Sequence, residues 1–77
     1  MGNLHFNLPS VTLTELRENA KLSRIELADK LGISENSVGR YERGERTPPA
    51  RLLAEYAKEL KVPVEYLVSV IDVGVNK

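Results

Sequence analysis

Apolar residues recur at helical intervals along most of this chain, and the runs are punctuated by glycines and prolines. Leu13, Leu16 and Ala20 stand three and four positions apart, so they share one face of a first helix. Thr12 ahead of them and Glu15 three residues on make a capping box, which places the helix at residues 12 to about 20 or 21. Ser23 and Glu26 repeat that signature before Leu27, Ala28 and Leu31, predicting a second helix over residues 24–31. Gly32 ends it, because glycine accepts the left-handed backbone with which many helices close. Ser34 caps a third helix over residues 35 to about 43, with Val38 and Tyr41 on its inner side and Gly44 as its stop. Two short helices joined by so tight a turn cross steeply, and the outer face of the second projects from the surface.

Pro48 and Pro49 stiffen the loop that follows, and proline is tolerated in a first helical turn, so a fourth helix is expected over residues 49–60. Leu53, Tyr56, Ala57 and Leu60 give its inward stripe. Pro63 starts a short fifth helix with Val64, Leu67 and Val68 inside, although the β-branched residues from Val68 to Val75 also suit an extended tail. Residues 1–11 lack periodicity and read as a flexible arm, 12–69 as one all-α domain, and 70–77 as a C-terminal tail. Val64, Leu67, Val68 and Ile71 present more apolar surface than a short helix can hide, from which a weak symmetric contact with a second copy is expected.

The residues Leu16-Arg17, Leu22-Ser23, Leu27-Ala28, Leu31-Gly32-Ile33-Ser34, Val38, Tyr41-Glu42-Arg43-Gly44 and Pro48 stand in an order that resembles the Cro and phage-repressor helix-turn-helix family. The likeness runs over residues 12–68. It implies a compact five-helix, lambda-repressor-like domain whose second and third helices form the helix-turn-helix. By position, Glu35, Asn36, Gly39 and Arg40 lie on the outer face of the third helix, and relatives place their base-reading side chains at the matching positions. Asn36 suits adenine and Arg40 suits guanine, each by two parallel hydrogen bonds in the major groove. Glu35 suits cytosine N4 or, equally, the positive end of its own helix. Gly39 departs from the larger residue usual in the family and offers no side chain, so either the backbone comes very near the DNA there or nothing is read at that step.

Phosphate contacts are expected from Arg24, Ser37, Arg43, Arg46 and Thr47, with Arg24 standing where relatives usually carry a glutamine that meets the DNA backbone. Arg17 and Glu42 match a pair that bridges the first and third helices in relatives, implying that they aim the reading helix. Tyr41 and Tyr56 read as core or rim, and Tyr66 as packing.

Composition narrows the function without deciding it. Seventy-seven residues make one small domain, and with no cysteine it has neither disulfide nor thiolate metal site. Eleven basic and eleven acidic residues cancel, so any affinity for nucleic acid must come from where charges sit rather than from the net value. Between Ser34 and Arg51 four arginines face three glutamates. His5, the one histidine, reads as a solvated side chain. No secretory signal or membrane-length apolar run occurs, and a cytoplasmic setting fits. The sequence holds no nucleophile-base set, phosphate-binding glycine loop or metal-ligand spacing, so neither an enzyme nor a cofactor is expected. The leading expectation is a regulator that binds double-stranded DNA as a weak homodimer on a two-fold operator, most simply a repressor. The competing class is the same fold used as a protein-interaction module, an antitoxin or co-regulator partner. A further domain in a longer chain fits either class.

Overall fold

The computed structural model describes residues 11–75, with side chains described through Asp72. Five helices follow one another: α1 Leu13–Asn19, α2 Arg24–Leu31, α3 Glu35–Glu42, α4 Ala50–Leu60 and α5 Val64–Val75. No strand occurs among the described residues, and the all-α expectation is met. The arm expected over residues 1–11 lies outside the described residues except for Val11, which packs half-buried against the core.

Both capping boxes form. Thr12 Oγ1 accepts the Glu15 amide at 3.1 Å while Glu15 Oε1 accepts the Thr12 amide at 2.9 Å. At α2 the corresponding distances between Ser23 and Glu26 are 3.0 and 2.8 Å. Each box satisfies two amides that a helix start would otherwise leave without partners. Pro49 caps α4 without a side-chain bond, so α4 starts one residue later than the sequence suggests.

Four chain reversals share one device. Lys21, Gly32, Gly44 and Lys61 all adopt the left-handed conformation, with φ between 64° and 74°. The amide after each then closes five residues back, from Leu22 to Arg17, Ile33 to Ala28, Glu45 to Arg40 and Val62 to Ala57, at 2.9 to 3.2 Å. This is the Schellman closure, which satisfies carbonyls at a helix end. Leu22, Ile33 and Val62 fold back onto the core. At the end of α3 the same position is Glu45, which stays exposed and turns to Arg43 instead.

The core draws on every helix. Leu13 and Leu16 of α1 join Leu27, Ala28 and Leu31 of α2, Val38 and Tyr41 of α3, and Leu52, Tyr56, Ala57 and Leu60 of α4. Leu67, Val70 and Ile71 of α5 complete it. α2 packs chiefly on α3 and α4, α5 lies on α4, and α1 bridges α3 and α4. Leu27, Val38 and Leu67 are fully buried, each contributing on the order of 2 kcal/mol by removal of apolar surface from water.

Three expectations need correction. Leu52 is buried in α4 and Leu53 only packs at its margin, because α4 turns its face toward α5 as well as toward α2. α5 is not short, and it does not give way to an extended tail. It runs through residue 75, so the boundary expected at residue 70 falls inside a helix that buries Val70 and Ile71. Val64, expected inside, is exposed, and Val68 is half-buried. With Leu67 and Ile71 taken up by the domain's own core, the apolar surplus among the described side chains of this helix shrinks to Val64, Tyr66 and part of Val68.

Candidate nucleic-acid interface

α3 is held by its inner side. Val38 and Tyr41, three positions apart, both point into the core, and Tyr41 meets Tyr56 of α4 with ring centroids 6.0 Å apart and planes tilted by 58°. The start of α3 is fixed by Ser34, whose Oγ accepts the Ser37 amide at 3.0 Å and donates to Ser37 Oγ at the same distance. That leaves Glu35, Asn36 and Arg40 exposed on the far side of the helix.

The angle of α3 is set at its other end by Glu42. This carboxylate is 1% exposed and receives bonds from three side chains. Arg17 Nε donates to Oε2 at 2.6 Å, Thr14 Oγ1 to Oε1 at 3.0 Å, and Arg24 Nε to Oε1 at 3.1 Å. Arg17 also donates from Nη1 to the Leu22 carbonyl at 3.0 Å, tying in the turn between α1 and α2. Burial works to raise the Glu42 carboxyl, but the bonds from Arg17, Arg24 and Thr14 outweigh it and hold the group below the ordinary carboxylate range. The Arg17 guanidinium is pushed up by its bond to Glu42, against the opposing effect of burial. The expected pair is therefore one edge of a larger hub. Thr14 was not singled out from sequence, although it stands three residues before Arg17 and so on the same face of α1.

The remaining expected residues divide. Arg46 and Thr47 are exposed in the loop after α3, and Ser37 is half-buried. Arg24 is not a free cation at the tip of α2, because its Nε is spent on Glu42 while its side chain stays 41% exposed. Arg43 is tied to Glu45 by two bonds, Nε to Oε2 at 2.9 Å and Nη2 to Oε1 at 3.3 Å. Gly39 does not lie open on the reading face as expected. It is buried, and a Cβ placed on it would stand 3.1 Å from Arg43 Nη1 and 3.8 Å from Arg24 Nη1.

Such a helix, buried on one side, open on the other and aimed by a buried ion cluster, is the second half of a helix-turn-helix, and a family model described as helix-turn-helix matches residues 13–67. The chain belongs to the Cro and phage-repressor helix-turn-helix family. It is 37% identical over 60 residues to YobD, an uncharacterized HTH-type transcriptional regulator of Bacillus subtilis, a match that covers 78% of this chain and 54% of that protein. An uncharacterized HTH-type transcriptional regulator of Mycobacterium tuberculosis is 41% identical over 51 residues, covering 66% of this chain and 36% of the relative. The chain thus spans about half the length of the first relative and about a third of the second. Among the described residues no cluster of His, Cys, Asp and Glu is arranged to hold a metal, and no helix is long and apolar enough to cross a membrane.

Proposed function

We propose that this chain is a sequence-specific module for double-stranded DNA, part of a non-enzymatic transcriptional regulator acting in the cytoplasm. α3 enters the major groove, which is wide enough for a helix, and its first turns meet base edges. Asn36 reads adenine and Arg40 guanine, while Glu35 serves cytosine or its own helix start. Arg46, Thr47 and the Ser37 hydroxyl meet the backbone from the flanks. The observation that carries this reading is the Glu42 hub. A family member with no use for the direction of α3 has no need to fix it with three side chains from α1 and α2.

One module reads few base pairs, so useful discrimination requires two copies on a two-fold site, and the simplest regulatory outcome is repression by occupancy. Selecting bound duplexes from a random pool tests the reading. A recovered two-fold motif with half-sites near one helical turn apart supports it, and recovery of no motif overturns it.

A second reading has one observation in its favour. Ile25 is 63% exposed on α2, where with Ala28 and Ile33 it lines an open hollow edged by Glu26, Asp29 and Glu35. Apolar surface rimmed by acids suits a protein partner with basic and apolar groups, as in the interaction-module alternative. Ile25→Asp separates the two readings, since it leaves DNA binding intact if α3 alone is the reading element.

A further inference from the structure

Gly39 is a poor choice for the middle of a helix unless something requires it, since glycine weakens a helix relative to alanine. Its backbone is not left-handed, so conformation is not the reason. The reason lies in what covers it. Arg43 reaches back from the end of α3 and Arg24 reaches across from the start of α2, and their Nη1 atoms stand 3.1 and 3.8 Å from the point a Cβ would occupy. The two nitrogens are therefore no farther apart than those two distances laid end to end.

Resting on the DNA-binding reading above, we propose that Arg24, Gly39 and Arg43 form a single clamp for one phosphate of the DNA backbone, with Gly39 as its positioning residue. Each guanidinium keeps donors outside its bonds to carboxylates. Arg24 gives only its Nε to Glu42, whose carboxylate already serves Arg17. Arg43 gives Nε and Nη2 to Glu45, which leaves Nη1 outside that fork. Both side chains are accessible, at 41% and 49% exposed. A tetrahedral phosphate presents oxygens on more than one side and accepts from both guanidiniums at once, by charge-assisted bonds. Glu45 occupies part of that role in the free protein, and its exposed pair with Arg43 is weak enough to yield to a phosphate. A Cβ at position 39 would meet the tip of Arg43 at 3.1 Å and push it off by a few tenths of an ångström, so glycine leaves the two donors their closest approach. Gly39 thus serves the backbone contact rather than a base.

The clamp makes a prediction that separate contacts do not. The salt dependence of binding counts phosphates neutralised, about 0.9 slope units for each. Binding of a random-sequence duplex over a salt series is measured for the wild type, Arg24→Gln, Arg43→Gln, the double variant and Gly39→Ala, with thermal unfolding followed in parallel. Each single arginine variant is expected to keep most of the slope, because the other guanidinium still neutralises the shared phosphate, and the double variant to lose about one unit. Gly39→Ala, which shifts only the Arg43 tip, is expected to weaken binding while Arg43 is present and to leave the slope near the wild type's. Gly39→Ala added to Arg43→Gln then changes nothing further, which tests the clamp even if Arg24→Gln does not fold. A double variant that loses about two units, or a Gly39→Ala change that weakens binding equally with and without Arg43, overturns the clamp and leaves the DNA reading standing. A wild type that binds no duplex at any salt overturns both.

Discussion

Arg17 of α1 donates Nε to Glu42 Oε2 of α3 at 2.6 Å, across 25 residues of sequence, and the carboxylate it meets is almost wholly buried. Removing one partner from such a pair leaves a charge without compensation, at a cost of about 3 to 5 kcal/mol. Glu42→Ala is expected at the upper end because Arg17 keeps only the Leu22 carbonyl, and Arg17→Ala lower because Arg24 and Thr14 still hold Glu42. The double variant should cost clearly less than the two singles added. Urea unfolding of the four proteins gives the coupling, and strict additivity would mean that the contact does not exist in solution.

The same carboxylate sets an acid limb. Its folded-state pKa lies below the ordinary 4.5, and the unfolded chain takes the ordinary value. The stability it contributes is therefore complete above that value and is lost as pH falls through the lower, folded one. Unfolding midpoints should stay level as pH approaches 4.5 from above and drop below it, with a shallower drop in Glu42→Gln. Identical acid limbs in the two proteins would assign the loss to other carboxylates.

Tyr56 carries a cost of a different kind. Its ring is central to the core, yet its hydroxyl is buried without a hydrogen-bond partner, and burial, reinforced by Glu42, pushes its pKa up. A buried polar group left unpaired costs about 1 to 3 kcal/mol. Tyr56→Phe keeps the ring and its tilt against Tyr41, so it should raise stability by about 1 kcal/mol, or about 4 to 8 °C in Tm. A lower Tm in calorimetry would show that the hydroxyl is bonded.

Helix ends give a matched pair of tests. Lys61 holds a left-handed backbone at φ 64°, a conformation costing a side-chain-bearing residue about 1 kcal/mol. Lys61→Gly should recover up to about 1 kcal/mol, reduced by the greater freedom of glycine in the unfolded chain. Gly32 stands at φ 70° with open space around it, so Gly32→Ala introduces backbone strain alone and should cost about 1 kcal/mol. Opposite signs in thermal melts are the expected result.

Arg40 and Arg46 separate reading from holding. Arg40→Ala should weaken a selected site by about 1 to 3 kcal/mol and barely change random DNA. Arg46→Ala should weaken both alike and make the salt slope shallower by about one unit. Equal losses on both duplexes for Arg40→Ala would reduce it to a backbone contact.

Much of this molecule was legible along the chain because its signals are local. A capping box lies within four residues, a helical stripe repeats at fixed spacing, and a glycine can mark a left-handed stop by itself, so α1, α2 and α3 and the turn between the last two were readable with few errors. Lys21 and Lys61 take the same left-handed stop without a residue type to announce it, since their conformation is imposed by the packing of Leu22 and Val62. The face of α4 and the length of α5 were decided by each other. Leu52 displaced Leu53, and Val70 and Ile71 became core, because burial depends on which helix lies opposite. The same holds at the interface. Sequence placed Arg24 at the start of the second helix and Gly39 and Arg43 on the third, with Gly39 among the base-reading positions and both arginines among separate phosphate contacts, and only folding brought two guanidiniums over one missing side chain. Convergence across helices depends on crossing angles and side-chain reach, which no single stretch of sequence carries.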